Sequence, residues 1–388
     1  MKEKTNKPMK IMVSSLTYPL PNGVTASLNT AVDGLLEEGN KVMIVAPDYK
    51  MKKARPEHRV VPSSLILHTL ATNLLGKEER VFRANSRSKI NKLAEEFDPD
   101  IYWLHTVTWA ANAFETQMLK SKKKKVLFYH TLVEEYGRLY AGEMGAFVMK
   151  RRTKALCNKV DAIMTPSDMM RKKLIGYGVK TPINIIPTGI DAPKKSFTKK
   201  ELKKRFNIPQ KSKVLLYLGR MSKEKNLSVL LKMMEDLKRK NFDAMLLFVG
   251  PGDIDEVERD AKKMGIDDRI ICTGALEREE AQKVYGASDV FVFSSQSETQ
   301  GLVVGEAMLA ETPVVALVSP IQKEVYPEGK AVVLKREKDF ADAVIDILQN
   351  KKKREKMVKD AKKFVLENFS KKRMIERQIK VFREVLKK

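Results

Sequence analysis

The sequence predicts an α/β protein built from two doubly wound, Rossmann-like parallel-sheet domains. Three observations predict it. The chain has 388 residues, beyond the length at which a single hydrophobic core usually stops growing. Short runs rich in Val, Ile and Leu recur along it, continuous rather than alternating in apolarity, which marks strands covered on both faces. Longer amphipathic stretches separate the runs and supply the crossover helices that parallel strands require.

In the first half the strand-like runs are KIMVSS (10–15), KVMIVAP (41–47), DIYWLH (100–105), KVLFYH (125–130), DAIMTPS (161–167) and INIIPTG (183–189). In the second they are KVLLYLGR (213–220), AMLLFVG (244–250), RIICTG (269–274), DVFVFSS (289–295), PVVALV (313–318) and AVVLK (331–335). Between the halves, IIPTGIDAPKKSF (185–197) ends a strand in Pro-Thr-Gly and runs into the helical TKKELKKRF, a linker signature. Domains over 1–190 and 191–370 follow, with a final helix over 371–388 expected to pack back on the first. After Val333 only helical pattern remains, interrupted near Asn368 and Ser370, where Ser370 can cap the last helix.

Composition narrows the class. Cys157 and Cys272 are too few and too far apart for a disulfide framework or a zinc site, and they read as small buried hydrophobes in a reducing cytoplasm. The amino terminus, MKEKTNKPMKIMVSS, has no apolar stretch of signal-peptide length, and no run approaches the ~18–20 apolar residues of a membrane span. A formal net charge of +25 attracts polyanions: nucleic acid, anionic lipid or phosphorylated substrates. Abundant Lys and Glu also suit a hyperthermophile protein. Aromatic residues are only 7% and the charge is spread over both halves, whereas a nucleic-acid-binding protein, the alternative from a different class, concentrates its basic residues in a stripe with interleaved aromatics.

Open parallel sheets bind ligands beyond the carboxyl ends of their strands, so the segments after the runs carry the functional information. After the first run, LTYPLPNGVTASLNTAVDGLLEEG places Gly23 just before a helix expected from about Thr25. A glycine there lets backbone approach a ligand, and a helix amino terminus offers unpaired N–H groups to an anion; an ordinary β-to-α turn looks the same. The fingerprint G-x-G-x-x-G is absent, and GPGDID (250–255) has Asp255 where the third glycine would stand, which counts against a dehydrogenase. The stretch GRMSKEKN (219–226) puts Arg220 and Lys225 on one glycine-led turn. A guanidinium fork and a mobile ammonium suit a diphosphate whose charge grows as it departs, although solvated surface charge fits the same residues.

The loop after DVFVFSS is the most informative. SSQSETQGLVVGEAMLAETPVV (294–315) sets Glu298 and Glu306 on either side of an apolar, glycine-bearing run, and buried carboxylates need partners. With a helix beginning at Gly301, the backbone N–H groups of Thr299, Gln300, Gly301 and Leu302 form an anion site. Carboxylates accept hydrogen bonds from paired hydroxyls, so acids flanking a phosphate site suggest sugar hydroxyls on both sides of a diphosphate, the outline of a nucleotide sugar.

E-x7-E from Glu298 to Glu306, after SSQS and before AMLAETPVVA, resembles the signature of retaining glycosyltransferases of family 4, which have the GT-B fold of two Rossmann-like domains facing a central cleft. Gly23 in the first loop, PTGID (187–191) at the hinge, LGRMSKEKN and a carboxy-terminal helix stand in the family's order, so the resemblance covers the whole chain. It implies that Glu306 binds ribose hydroxyls and Glu298 the donor sugar near its 3- and 4-hydroxyls. It also implies that Thr299 to Leu302 donate backbone N–H groups to sugar and phosphate, that Arg220 and Lys225 grip the diphosphate, and that Gly23 faces the same phosphates. Neither cofactor nor metal is implied: the best D-x-D candidate, DPD (98–100), contains a proline and reads as a turn.

His130, at the end of KVLFYH, matches a histidine that contacts donor sugar and acceptor side in related enzymes, and joins Glu298, Arg220 and Lys225 as a catalytic-site residue; a satisfied structural histidine is the alternative. His105 could serve as a second residue of the cleft. Retention would follow either double displacement or front-face attack in which the departing phosphate takes the acceptor proton. No carboxylate stands out as a nucleophile, so the front-face route is expected from the family, with Arg220 and Lys225 stabilising the developing charge.

Acceptors bind mainly to the amino-terminal domain in this family. There YHTLVEEY precedes a basic helix candidate on which Met149, Leu156 and Val160 fall together and Lys150, Arg151 and Lys154 lie towards the other side. It reads as a surface helix, or as an interfacial helix whose basic residues meet anionic head groups at ~1 kcal/mol each. Lys122, Lys123, Lys124 and Lys125 of KSKKKK (120–125) would add to that surface. YHTLVEEY, CNKVDAIMTPS and SETQGLVVGEAM are similar to bacterial diacylglycerol glucosyltransferases, which act at the cytoplasmic membrane face. That resemblance implies UDP-glucose as donor, diacylglycerol as acceptor and peripheral association with the inner face of the cell membrane. A soluble or lipopolysaccharide-type sugar acceptor with the same donor chemistry is the alternative.

Overall fold

The computed structural model describes residues 7–20, 22–50, 55–65, 80–82, 86–105, 107–108, 112–191, 195–295 and 298–388. All twelve strand-like runs named above form strands, and both large sheets are parallel throughout. The chain divides into two units, residues 1–189 with 371–388, and residues 190–370.

The first unit is built on β1 (Lys10–Ser14), β2 (Lys41–Pro47), β3 (His58–Val61), β6 (Ile101–Leu104), β7 (Lys124–Phe128), β8 (Ala162–Thr165) and β9 (Ile183–Ile185), in the order β3-β2-β1-β6-β7-β8-β9. A separate antiparallel pair joins β4 (Ser63–Leu65) to β5 (Arg80–Phe82). The sequence reading lacked β3, β4 and β5. Strand β3 is a four-residue edge strand, HRVV, only half of it buried, and β4 and β5 have three residues each, so none carries a continuous apolar signal. The inner strands do, because side chains leave them on two faces and both are covered. Met12, Tyr102 and Leu127 enter one core, whereas Ile11, Val13, Trp103 and Phe128 enter another shared with Met374, Ile375 and Phe382 of the helix Lys371–Lys387.

The second unit has β10 (Lys213–Leu218), β11 (Ala244–Val249), β12 (Ile270–Cys272), β13 (Val290–Phe293), β14 (Val314–Leu317) and β15 (Val332–Leu334), in the order β12-β11-β10-β13-β14-β15. Leu215, Tyr217, Phe248 and Val292 pack with Leu230 and Met234 of the helix Leu227–Arg239 and with Phe340 and Val344 of the helix Phe340–Gln349. In each sheet the first strand of the unit lies between its second strand and one that follows much later, so the order reverses beside β1 and beside β10. Loops leaving the carboxyl ends of strands at such a reversal diverge and open a crevice for ligands. Among the described residues no helix is long and apolar enough to cross a membrane.

Candidate functional site

In the second unit the reversal falls between β10 and β13, which pair directly through Leu215 with Val290 and Leu216 with Phe291. Their outgoing loops therefore run side by side, and they carry Arg220 and Lys225 on one and Glu298 on the other. Lys225 Nζ donates to Glu298 Oε1 at 2.7 Å, and Ser294 Oγ donates to the Lys225 carbonyl at 2.8 Å. Both members of the ion pair keep about a fifth of their side-chain surface, 20% and 18%, so the pair is shielded and still reachable. Arg220 is exposed on the same loop; its carbonyl accepts from the Tyr217 hydroxyl at 2.8 Å, and its guanidinium makes no ion pair with a described residue.

Gly301 caps the helix Leu302–Leu309 in the left-handed region, at φ 67°, a conformation that favours glycine. That turn lets the chain pass from Thr299 and Gln300 straight into a helix whose first N–H groups have no partner within it. One turn on, Glu306 is partly buried, and its Oε2 accepts from the Tyr285 hydroxyl at 2.8 Å. Burial pushes the Glu306 carboxyl above its usual range, while the bond from Tyr285 opposes that shift. Tyr285 belongs to the helix Arg278–Tyr285 and is absent from the sequence reading, since it sits in an ordinary amphipathic pattern. Gln296 and Ser297, within the SSQS part of the motif, lie outside the described residues.

In the first unit the neighbouring strands β6 and β7 end in the two histidines. His130 Nε2 and His105 Nδ1 lie 2.9 Å apart. Burial holds His130 down at about 3 and His105 well below its usual value, so both imidazoles are neutral near pH 7. His130 retains 8% of its surface and His105 only 2%, so His105 is the more enclosed of the two. After His130 the helix Val133–Cys157 begins, and Glu134 anchors its first turn by accepting from Lys173 Nζ at 3.0 Å and the Tyr129 hydroxyl at 3.3 Å. Gly23 opens the helix Gly23–Glu37, two residues earlier than the sequence suggests, because Asn22 is the cap and accepts from the Thr25 N–H at 2.9 Å.

The helix Val133–Cys157 is broken at Ala141 and Gly142, the latter at φ 59°. Beyond the break Met149 and Leu156 are buried, as is Val160 after the helix, and Arg151 and Lys154 are exposed, with Lys150 half-buried. The sequence reading missed the residues next to the break: Met144, Phe147 and Val148 are exposed, the first to 70%, and Arg151 lies over the Phe147 ring. Lys122 to Lys125 are elsewhere. They lead into and begin β7, where Lys123 pairs with Asp98 at 2.8 Å and the Lys125 carbonyl accepts from the Asp161 N–H, the end of the sheet at which the long helix finishes rather than the end at which it starts. The structure thus does not bring that run together with the exposed residues Met144, Phe147 and Val148. Asp98 and Asp100 of DPD are pins at this same end, Asp100 accepting from the Lys10 N–H at 2.8 Å.

A family profile described as Glycosyltransferase Family 4 matches residues 21–193, and one described as Glycosyl transferases group 1 matches residues 198–364. The alpha-monoglucosyldiacylglycerol synthase of Streptococcus pneumoniae is 27% identical over 360 residues, 88% of this chain and 78% of that protein. The enzyme of the same name from Acholeplasma laidlawii is 24% identical over 363 residues, 88% and 89% of the two chains. Among solved structures, Anabaena HepE in complex with UDP-glucose superposes with a TM-score of 0.78 at 15% identity, covering 97% of this chain and all of that one.

Proposed function

For a chain that belongs to glycosyltransferase family 4 and has the GT-B fold, we propose that it moves glucose from UDP-glucose to diacylglycerol with retention, at the inner face of the cell membrane. The donor half rests on the Lys225–Glu298 pair at the β10/β13 reversal, with Glu306 one helical turn beyond the Gly301 turn. In this reading a diphosphate lies against the amino end of the helix Leu302–Leu309, with Arg220 and Lys225 neutralising it. Glu298 accepts from the hexose hydroxyls and Glu306 from the ribose. Gly23, at the head of its own helix, offers backbone N–H groups to the same phosphates. The bond from the anomeric carbon to the diphosphate breaks, the bond to the acceptor oxygen forms on the same face, and the acceptor's proton passes to the departing phosphate oxygen. UDP leaves with that proton, and charge stabilisation by Arg220 and Lys225 lowers the barrier because it grows as the bond breaks. His130, neutral through burial, serves by hydrogen bonding rather than by charge.

The acceptor half is supported by the exposed Met144, Phe147 and Val148 beside Arg151 and Lys154. An apolar tip with basic neighbours suits the boundary between acyl chains and anionic head groups. Two relatives named for monoglucosyldiacylglycerol synthesis, each aligned over 88% of this chain, point the same way. The test is transfer of radiolabelled glucose from UDP-glucose to diacylglycerol in micelles with and without anionic lipid. Label in a glucolipid, lost in Glu306→Ala through weaker UDP binding and in His130→Ala through slower turnover, is the expected outcome. Label appearing only on soluble or lipopolysaccharide-type sugars would reassign the acceptor.

A further inference from the structure

We propose that His105 is a positioning residue, which donates its Nδ1–H to His130 Nε2 and so fixes His130 in the tautomer that carries its proton on Nδ1. The proposal rests on the reading that His130 belongs to the site, and it specifies what that imidazole offers a ligand. Placement comes from the sheet. Strands β6 and β7 pair in parallel, Leu104 opposite Leu127, and the two histidines follow at their carboxyl ends. His105 is tied to β1 by its N–H, which donates to the Ser14 carbonyl at 2.9 Å. The ring of His130 stacks on Phe128 with centroids 3.8 Å apart and planes 22° apart, so its orientation is held on one face by Phe128 and at one nitrogen by His105.

Two neutral imidazoles share one proton across a 2.9 Å contact in either of two ways. If His130 were the donor, His105 would carry its own proton on Nε2. Among the described residues neither that buried nitrogen nor the buried indole Nε1 of Trp103 has a partner, and the Trp103 ring meets His105 edge to face at 4.2 Å. Two N–H groups on touching rings would then both be buried without an acceptor. If His105 is the donor, its Nε2 carries a lone pair beside the indole, and only the indole N–H lacks a partner. Buried orphan N–H groups are rare and costly, so the second arrangement is selected. His130 then presents Nδ1–H, a donor for a hydroxyl or phosphate oxygen of the ligand, and it has no lone pair with which to take a proton there. The acceptor's proton must go elsewhere, in accord with its passage to the departing diphosphate.

Ring-nitrogen NMR on protein labelled at its four histidines tests the tautomer without reference to any reaction. The expected wild-type spectrum shows His130 protonated on Nδ1 and bare on Nε2. His105→Asn, whose amide nitrogen takes the place of Nδ1, keeps that pattern, and His105→Ala loses it. In transfer assays His105→Ala should lower kcat by roughly tenfold to a hundredfold, with the KM for donor changed by less than about twofold, and His105→Asn should recover most of the loss. His105→Leu fills comparable space without a donor, so a role in packing alone would be rescued by it, whereas a positioning role predicts that His105→Leu loses as much as His105→Ala. A proton on His130 Nε2 in the wild type, equal losses in His105→Ala and His105→Asn, or rescue by His105→Leu overturns the proposal. Should His105→Ala fail to fold, the wild-type and His105→Asn spectra still decide it. Absence of any transfer by the wild type would instead overturn the functional reading, leaving the tautomer measurement intact.

Discussion

Glu306 faces opposed demands: it must stay ionised to accept hydrogen bonds from hydroxyls, yet burial favours its neutral form. Tyr285 resolves the conflict by donating to the charged form. Removing that donor leaves burial opposed only by the charge of Arg278, so the carboxyl takes up a proton at higher pH than in the wild type. For Tyr285→Phe we expect UDP binding roughly tenfold weaker near neutral pH, the scale of a hydrogen bond to a charged group. As pH falls, affinity should collapse earlier, at higher pH, in Tyr285→Phe than in the wild type, while Glu306→Gln should be flat over the same range. Calorimetric titration with UDP across pH measures all three, and superimposable profiles for wild type and Tyr285→Phe would sink the idea. Glu306 was legible in the sequence because its spacing from Glu298 forms a motif. Tyr285 was not, because it lies 21 residues earlier on another helix and meets Glu306 only through tertiary packing. The same holds for Lys225 and Glu298, whose types suggested a donor site while their contact, across 73 residues, depended on which strands neighbour in the sheet.

At the scale of elements, the helix Val133–Cys157 shows where periodicity stops informing. Its buried stripe could be read from spacing, but a break at Ala141 and Gly142 resets the phase, and a window laid across the break averages two faces together. The apolar residues left outside are therefore invisible to a helical wheel drawn for a continuous helix. Exposed apolar side chains contribute nothing to the core, so Met144→Ser, Phe147→Ser and Val148→Ser combined should leave the melting temperature within about 2 °C of the wild type. On vesicles containing anionic lipid the same variant should bind at least roughly tenfold more weakly, since each lost side chain forfeits on the order of 1.5–3 kcal/mol if fully buried in lipid. Sedimentation with vesicles reads the difference. Unchanged vesicle binding would remove this helix from the membrane-facing surface and leave basic residues elsewhere, such as Lys122 to Lys125, to account for any attraction.

For the whole molecule the fold class was legible because the stretches of parallel strand buried on both faces must be largely apolar, and each inner strand of both sheets carries such a continuous run behind at most two leading lysines. Strand β3 escaped because an edge strand needs only one buried face, and the order of strands escaped because pairing is decided by packing of the crossover helices. One consequence of that packing concerns the chain terminus. The first unit takes its last helix, Lys371–Lys387, from the far end of the sequence. Met374, Ile375 and Phe382 of that helix are buried in the core that holds Trp103 and Phe128, with the Phe382 ring edge-on to Trp103 at 5.2 Å. The second unit has its own core, to which that helix contributes nothing. Phe382→Ala should therefore cost about 3–5 kcal/mol, the usual range for a fully buried aromatic residue, and the loss should be confined to one unit. Hydrogen exchange resolved by segment separates the possibilities: amides of β1, β6 and β7 should lose protection in Phe382→Ala while those of β10, β11 and β13 keep theirs. The Trp103 ring backs His105, so loosening it should also blur the His130 tautomer before UDP binding weakens. Equal loss of protection in both sheets would show instead that the two units unfold as one.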